Sequence, residues 1–209
     1  MAVVNANYDF IFVDIGCQGR ISDGGVLRNT SFFKKLDTDE LLPNTNLSLP
    51  YVFLTDEAFA LSTNIMKPYS GVHEKGNAKR IFNYRLSRAR RVVENVFGIM
   101  ASVFRIFRGP ILLEPEKVQE ITMTCVLLHN FLRRSKSSSS LYAPPGVFDT
   151  DNNDGMIVPG SWRSEQNDLG SMFPLQRVPR RSGLDAKMVR DQFSEYFVTS
   201  GKVAWQERV

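Results

Sequence analysis

Two carboxylates in this chain stand where they could work on a phosphate. Glu94 is the only acidic residue in the stretch 79–107, KRIFNYRLSRARRVVENVFGIMASVFRIF, which is otherwise basic and apolar. Asp56 follows a short apolar run, Tyr51 to Leu54, that stops abruptly in LPYVFLTDEAFAL. A carboxylate among arginines suits a phosphate backbone gripped by cations, with the acid placed on a metal ion. Hard cations such as Mg²⁺ or Mn²⁺ take carboxylate oxygens and keep several waters. A pair of them about 3.5–4 Å apart can hold both the attacking and the leaving oxygen of a phosphodiester.

Each residue also has a plainer role. Glu94 could pair with Arg90 or Arg91 at helical spacing, which is worth a few tenths of a kcal/mol. Asp56 could cap a helix running through Ala58 and Leu61. Capping occupies one carboxylate oxygen, so Asp56 can serve both purposes. The basic residues divide in the same way. Lys75, Lys79, Arg80, Arg85, Arg88, Arg90 and Arg91 fall within residues 74–91 against Glu74 alone. That density suits phosphate contacts, which are salt-dependent and carry no sequence specificity. It suits equally a solvated face whose arginine stems cover apolar surface.

The elements that must position these groups follow from periodicity. As one helix, residues 79–107 place Arg80, Asn83, Ser87, Arg90, Arg91, Gly98 and Arg105 within about 60° of Glu94. Ile81, Phe82, Ala89, Val92, Val93, Val96, Ile99, Met100 and Val103 form the opposite, core-seeking arc. A strand over Tyr51 to Leu54 puts Asp56 at a strand C-terminus, where sites in α/β sheets open. A further strand is expected over 8–16, a helix over 24–42, a loop over 43–49 and a polar, glycine-bearing loop over 70–78. Residues 115–132 read as a second strong helix, with Glu116 and Glu120 favouring its N-terminal end. A terminal helix over 185–198 presents Met188, Val189, Phe193 and Phe197. The stretch between is rich in Ser, Pro, Gly, Asn and Asp. The domain division is therefore 1–134 for the site-bearing domain, 135–182 for an irregular linker, and 183–209 for a C-terminal helix and tail.

Several segments resemble the nuclease domain of Harbinger-type transposases of the DDE group. They are DIGCQGRISDGGVL (Asp14 to Leu27), LPYVFLTDEAFAL with MKPY (Met66 to Tyr69), FNYRLSRARRVVENVFGIM (Phe82 to Met100) and CVLLHNFL (Cys125 to Leu132). The R-x-x-V-E-x-x-F-G match is the most specific of them, and the tail from Val189 to Gln206 is similar more loosely. The resemblance implies an α/β, ribonuclease-H-like mixed sheet flanked by helices, and a metal-dependent endonuclease that cuts DNA. Asp56 matches the family's second catalytic aspartate and Glu94 its catalytic glutamate, both as ligands of Mg²⁺ or Mn²⁺. Lys79, Arg80, Arg88, Arg90 and Arg91 are the expected DNA contacts. The resemblance further implies duplex DNA, a separate Myb-like DNA-binding protein and a homo-oligomer as partners. It implies the nucleus as compartment, with the cytoplasm second. The His129–Asn130 pair resembles a packing feature beside the site.

The family's first catalytic aspartate lies in a D-G-x-H-like segment on an earlier strand, and the sequence contains no such segment. MAVVNANYDFIFVDIG resembles the end of the second core strand, a turn and the third strand. The chain is thus expected to be a shortened or decayed member lacking its first strand. Such an α/β layer would be incomplete, marginally stable or prone to associate. Asp14, within a strand, and Asp23, in the turn-rich QGRISDGG, are substitutes for the missing ligand, although Asp23 also reads as a turn or cap residue. Impaired cleavage is the expectation, and a non-catalytic DNA- or protein-binding descendant is the competing one.

Composition agrees with a globular domain: 209 residues, 43% hydrophobic and 23% charged, with a net charge of only +4. Cys17 and Cys125 show no framework or metal spacing, which fits a reducing compartment. His73 and His129 lack the spacing of a zinc site, and His129, within an apolar helix, reads as a hydrogen-bonded core residue. The N-terminus lacks a basic start followed by an apolar run. No apolar stretch approaches membrane-spanning length, so no membrane partner is expected.

Overall fold

Asn5 organises the first hairpin. Its side-chain oxygen takes the N–H groups of Asn7 and Asp9 at 2.9 and 3.0 Å, so the chain reverses between β1 (Ala2–Val4) and β2 (Phe10–Val13). The strands pair antiparallel, with a register irregularity between Val3 and Val4. This is the strand–turn–strand order expected for the segment. Tyr8 in the turn has φ 67°, a left-handed conformation that costs a non-glycine residue of order 1 kcal/mol. Its ring is stacked on Phe148 at 4.1 Å and its carbonyl accepts a hydrogen bond from His129, so neighbours hold it there.

The computed structural model describes residues 1–17, 21–38, 40–43, 49–152, 156–165 and 182–208. They divide into two units, one formed by 1–19 and 91–174, the other by 20–90 and 175–209. Helix α3 (Ala78–Val103) contributes to both. Among the described residues the strands pair two by two, so the α/β class holds with small sheets.

In the first unit, the hairpin packs Phe10 onto Val96 and Met100 of α3 and onto Cys125 and Val126 of α4 (Pro115–Arg134). Proline opens α4, Glu116 sits in its first turn, and Arg133 and Arg134 in its last, the charge order a helix dipole favours. Asn130 clamps the hairpin by accepting the Phe10 N–H and donating to the Phe10 carbonyl, both at 2.9 Å. Beyond α4, the stretch that composition reads as irregular builds a second core. A short helix α5 (Ser139–Tyr142), the ladder of β5 (Thr150–Asp151) with β6 (Ile157–Val158), and a 3-10 turn at Ser161–Glu165 carry it. Tyr142, Val147 and Trp162 are buried there against Ile99 of α3. Residues 153–155 and 166–181 of the expected linker lie outside the described residues.

In the second unit, the helix expected over 24–42 is two helices, α1 (Asp23–Asn29) and α2 (Ser31–Asp37). Thr30 separates them in extended conformation. Its hydroxyl accepts the Phe33 N–H and donates to the Leu27 carbonyl, ending one helix and capping the next. The expected loop over 43–49 falls largely outside the described residues. β3 (Phe53–Leu54) lies parallel to β4 (Ile65–Met66). The first part of α3 and the terminal helix α6 (Leu184–Val198) cover Met66 with Phe82, Leu86, Val189, Phe193 and Phe197. Met188, expected on that face, is exposed. Asn77 precedes α3 and caps it through the Lys79 N–H at 2.9 Å.

His129 is the buried hydrogen-bonded residue the sequence suggests. The Tyr8 carbonyl can only accept, so Nε2 carries the proton and donates to it; Nδ1 then accepts from the Tyr142 hydroxyl, each contact 2.7 Å. Burial pushes the imidazole below its ordinary value, outweighing the carbonyl's opposite pull. In the unfolded chain the ring titrates near about 6.5. Its contribution to stability is therefore complete above that value and is lost as pH falls from there through the lower folded value. The urea midpoint should be flat above pH ~7 and decline below about 6.5, and His129→Gln should flatten that decline. An unchanged slope in the variant would assign the acid sensitivity elsewhere.

Candidate active-site carboxylates and the basic helix

Thr55 fixes the end of β3: its N–H and its hydroxyl both donate to the Met66 carbonyl, at 2.9 and 3.2 Å. Asp56 comes next, half-buried, with Oδ1 accepting the Ala58 N–H at 2.9 Å. That closes a tight turn rather than starting a helix, because residues 55–61 form no helix. The expected N-cap is thus an Asx turn. The position expected of Asp56, at a strand's C-terminal end, is the one observed. Asp56 belongs to the second unit and Glu94 to the first.

Glu94 is half-buried on α3 beside Asn95, which is almost wholly enclosed. Asn95 Oδ1 accepts the Asp149 N–H at 2.9 Å and the Trp162 indole N–H at 2.8 Å. The Asp149 carboxylate, fully out of solvent, accepts the Gly160 N–H and is paired with the Arg163 guanidinium at 2.5 Å. Burial alone would raise the Asp149 carboxyl. The Arg163 hydrogen bond, the Gly160 N–H and the charges of Arg163 and Arg91 outweigh it and hold the group below the usual range. Arg163 is raised in turn, chiefly by its hydrogen bond to Asp149, with the negative charges of Asp149 and Glu94 adding to it. The surroundings of Glu94 are therefore organised by a loop some 55–70 residues away in sequence, not by helix neighbours alone.

Gly98 permits this arrangement. A Cβ there would lie 2.3 Å from the Trp162 ring, so only glycine lets the indole lie on α3. The polar face drawn from the helical wheel is thus partly an internal docking face. Sequence reasoning missed Asn95, Asp149, Trp162 and Arg163. The available signal was a glycine and an asparagine inside a strong helix, each unfavourable there unless something packs on it.

The basic residues have different fates. Lys79 and Arg80 are exposed and Arg90 is half-buried. Arg88 lays its guanidinium 3.7 Å from the centre of the Trp205 ring. Arg85 does the same on Phe197 at 3.9 Å and donates to the Gly201 carbonyl at 2.6 Å. Arg91 is buried and paired with Asp151 at 2.6 Å. Of the expected DNA contacts, Arg88 is thus stacked on an aromatic ring and Arg91 is held in a buried ion pair.

Among the described residues no three His, Cys, Asp or Glu side chains gather closely enough to hold a metal ion. No helix among them is long and apolar enough to cross a membrane. A family model described as DDE superfamily endonuclease matches residues 1–130. The chain belongs to the DDE superfamily endonucleases. Protein ALP1-like of Arabidopsis thaliana is 26% identical to it over 138 residues, 63% of this chain and 34% of that protein. The chain therefore spans about a third of the length of the curated relative. No solved structure matches it. These findings agree with the Harbinger-type resemblance carried by the sequence motifs.

Within this DDE endonuclease relative, the motif residues around Asp56 and Glu94 have assigned structural duties. Tyr69 of MKPY donates its hydroxyl to Asp191 of α6 at 2.6 Å, and Asn83 clamps the Tyr69 backbone at 2.7 and 2.9 Å. Burial first, and the Asp191 hydrogen bond second, raise the Tyr69 phenol to about 12. On the other unit, Arg163→Ala strands the Asp149 carboxylate without its guanidinium. It should lower unfolding free energy by about 2–3 kcal/mol. The deficit should be larger at pH 7, where Asp149 must stay ionised, than near pH ~4. A variant as stable as the parent at both pH values would show that the pair does not hold the loop.

Proposed function

We propose that this DDE superfamily member acts on DNA phosphodiesters through Asp56 and Glu94 as ligands of Mg²⁺ or Mn²⁺, on a ribonuclease-H-like scaffold. The observation that carries the proposal is the family match over residues 1–130, which contains both carboxylates within the motifs LPYVFLTDEAFAL and R-x-x-V-E-x-x-F-G. Carboxylate oxygens are the donors a hard divalent cation takes, and the Asx turn of Asp56 occupies Oδ1 only with Ala58. When bound, the cation supplies charge stabilisation for the phosphate and lowers the pKa of its water. Thr55 and Asn95 act as positioning residues: the first ends the strand that presents Asp56, the second anchors the loop that surrounds Glu94.

Residues 1–209 by themselves should cleave poorly, because Asp56 and Glu94 supply only part of the ligand set that fixes two cations. Asp14 on the first unit and Asp23 at the start of α1 are the substitutes in the sequence. A second reading is a non-catalytic descendant that binds DNA or protein through the basic residues of α3 and the C-terminal tail. The partners proposed with these readings are duplex DNA, a separate Myb-like DNA-binding protein and a second copy of the chain, and the proposed compartment is the nucleus, with the cytoplasm second.

Titration with Mn²⁺ should show binding that Asp56→Ala with Glu94→Ala abolishes; equal binding by parent and variant would sink the assignment. Incubation with DNA and Mg²⁺ or Mn²⁺ should give little or no cutting. Robust cutting by residues 1–209 that survives Asp56→Asn and Glu94→Gln would overturn the role of both carboxylates.

For DNA binding, Lys79, Arg80, Arg88 and Arg90 are the cations offered to phosphates, with Arg91 committed to Asp151. Reversing charge at Lys79 and Arg80 should weaken duplex binding and make the plot of log affinity against log salt shallower by about one to two units. Reversal at Arg91 should instead act on stability, through the lost Asp151 pair. Salt slopes that respond to Arg91 but not to Lys79 and Arg80 would reverse this assignment.

A further inference from the structure

Helix α4 turns Cys125, Val126 and His129 into the first unit's core and leaves a second apolar stripe outside. Met123, Leu127 and Phe131 are 39%, 61% and 66% exposed. With about 100° per residue, Met123 and Phe131 lie about 40° to either side of Leu127, so the three form one narrow row. Glu120 and Arg134 extend that row at its two ends. Each is seven positions from Leu127, within about 20° of its direction and about 10 Å from it along the axis. Both are largely solvated, with side chains 66% and 64% exposed.

This order is self-complementary. An antiparallel copy of the helix, related by a two-fold axis through Leu127, sets Leu127 on Leu127 and Met123 on Phe131. It also sets Glu120 of each copy against Arg134 of the other. The helix dipoles then oppose head to tail, and the acidic first turn faces a basic last turn. A two-fold interface needs a patch in which each residue's counterpart is its own complement. A parallel copy would instead place Glu120 on Glu120 and Arg134 on Arg134. The internal partners of these two groups are weak competitors: Glu120 holds Lys117 in an exposed pair, and Arg134 is 3.4 Å from Asp9.

We propose that α4 is a homodimer interface, in which a second copy of this chain packs antiparallel against Met123, Leu127 and Phe131 with reciprocal Glu120–Arg134 ion pairs. The proposal is independent of any catalytic or DNA-binding role. It names the surface behind the homo-oligomer that the family resemblance implies.

Sedimentation of the whole chain across a concentration series should show a reversible monomer–dimer equilibrium. Glu120→Arg and Arg134→Glu should each weaken it by about tenfold, because each places two like-charge pairs in the interface. The combined variant should restore it, since the pairs re-form with reversed polarity. Restoration also excludes misfolding as the cause of the single effects. In a Cys17→Ser background, which removes the exposed native thiol, Leu127→Cys should give a covalent dimer under mild oxidant. A chain that stays monomeric at high concentration would overturn the proposal and leave the stripe to a different protein. So would self-association that the combined variant fails to recover, or a Leu127→Cys variant that stays uncrosslinked.

Discussion

Three buried or half-buried asparagines do what the small sheets of this chain cannot. A carboxamide carries a donor and an acceptor side by side, so it can close both open backbone groups of a neighbouring segment. Asn83 does this for Tyr69, Asn130 for Phe10, and Asn95 for Asp149 with the Trp162 indole in addition. Each of the three stands on a long helix, and each holds a segment away from its own helix. Among the described residues the ladders are two strands wide, so few of their backbone groups are satisfied by sheet pairing. The amides supply the remainder, and an unmade bond of this kind would cost about 1–3 kcal/mol each.

The polar face of α3 is divided between contacts inside the fold and solvent. Its basic residues look like one surface in the sequence, yet the helix commits Arg85 and Arg88 to aromatic rings and Arg91 to Asp151. A guanidinium can lie flat on a ring and still direct N–H groups outward, a role lysine fills less well. Lys79 and Arg80, at the N-terminal turn, are left facing solvent. The carboxylates are treated differently again. Asp149 is buried and neutralised by Arg163, while Asp56 stays partly accessible at a strand end.

Much of this was legible in the residues, and the failures have physical causes. Periodicity located α3, α4 and α6 because each carries a continuous apolar stripe along several turns. It merged α1 with α2 because the break at Thr30 comes from a side chain that ends one helix and caps the next, with the apolar positions unbroken. The turn at Asp56 resembles a helix start in the sequence, since both use the same carboxylate-to-N–H contact. Residues 139–152 and 156–165 look irregular in composition because their order depends on non-local bonds to Asn95 and on the space left at Gly98. The carboxylate pair itself came from motif resemblance; charge pattern alone left Glu94 as an ordinary helix ion pair.

The proposed joint role of Asp56 and Glu94 is tested most directly by paramagnetic broadening in amide NMR spectra of the chain with substoichiometric Mn²⁺. If both carboxylates hold the cation, resonances flanking Asp56 and those flanking Glu94 should broaden together, at the same metal fraction. Glu94→Gln should then weaken the broadening around Asp56. Broadening confined to one of the two, or centred on other carboxylates such as Asp14, would contradict their assignment as a metal site.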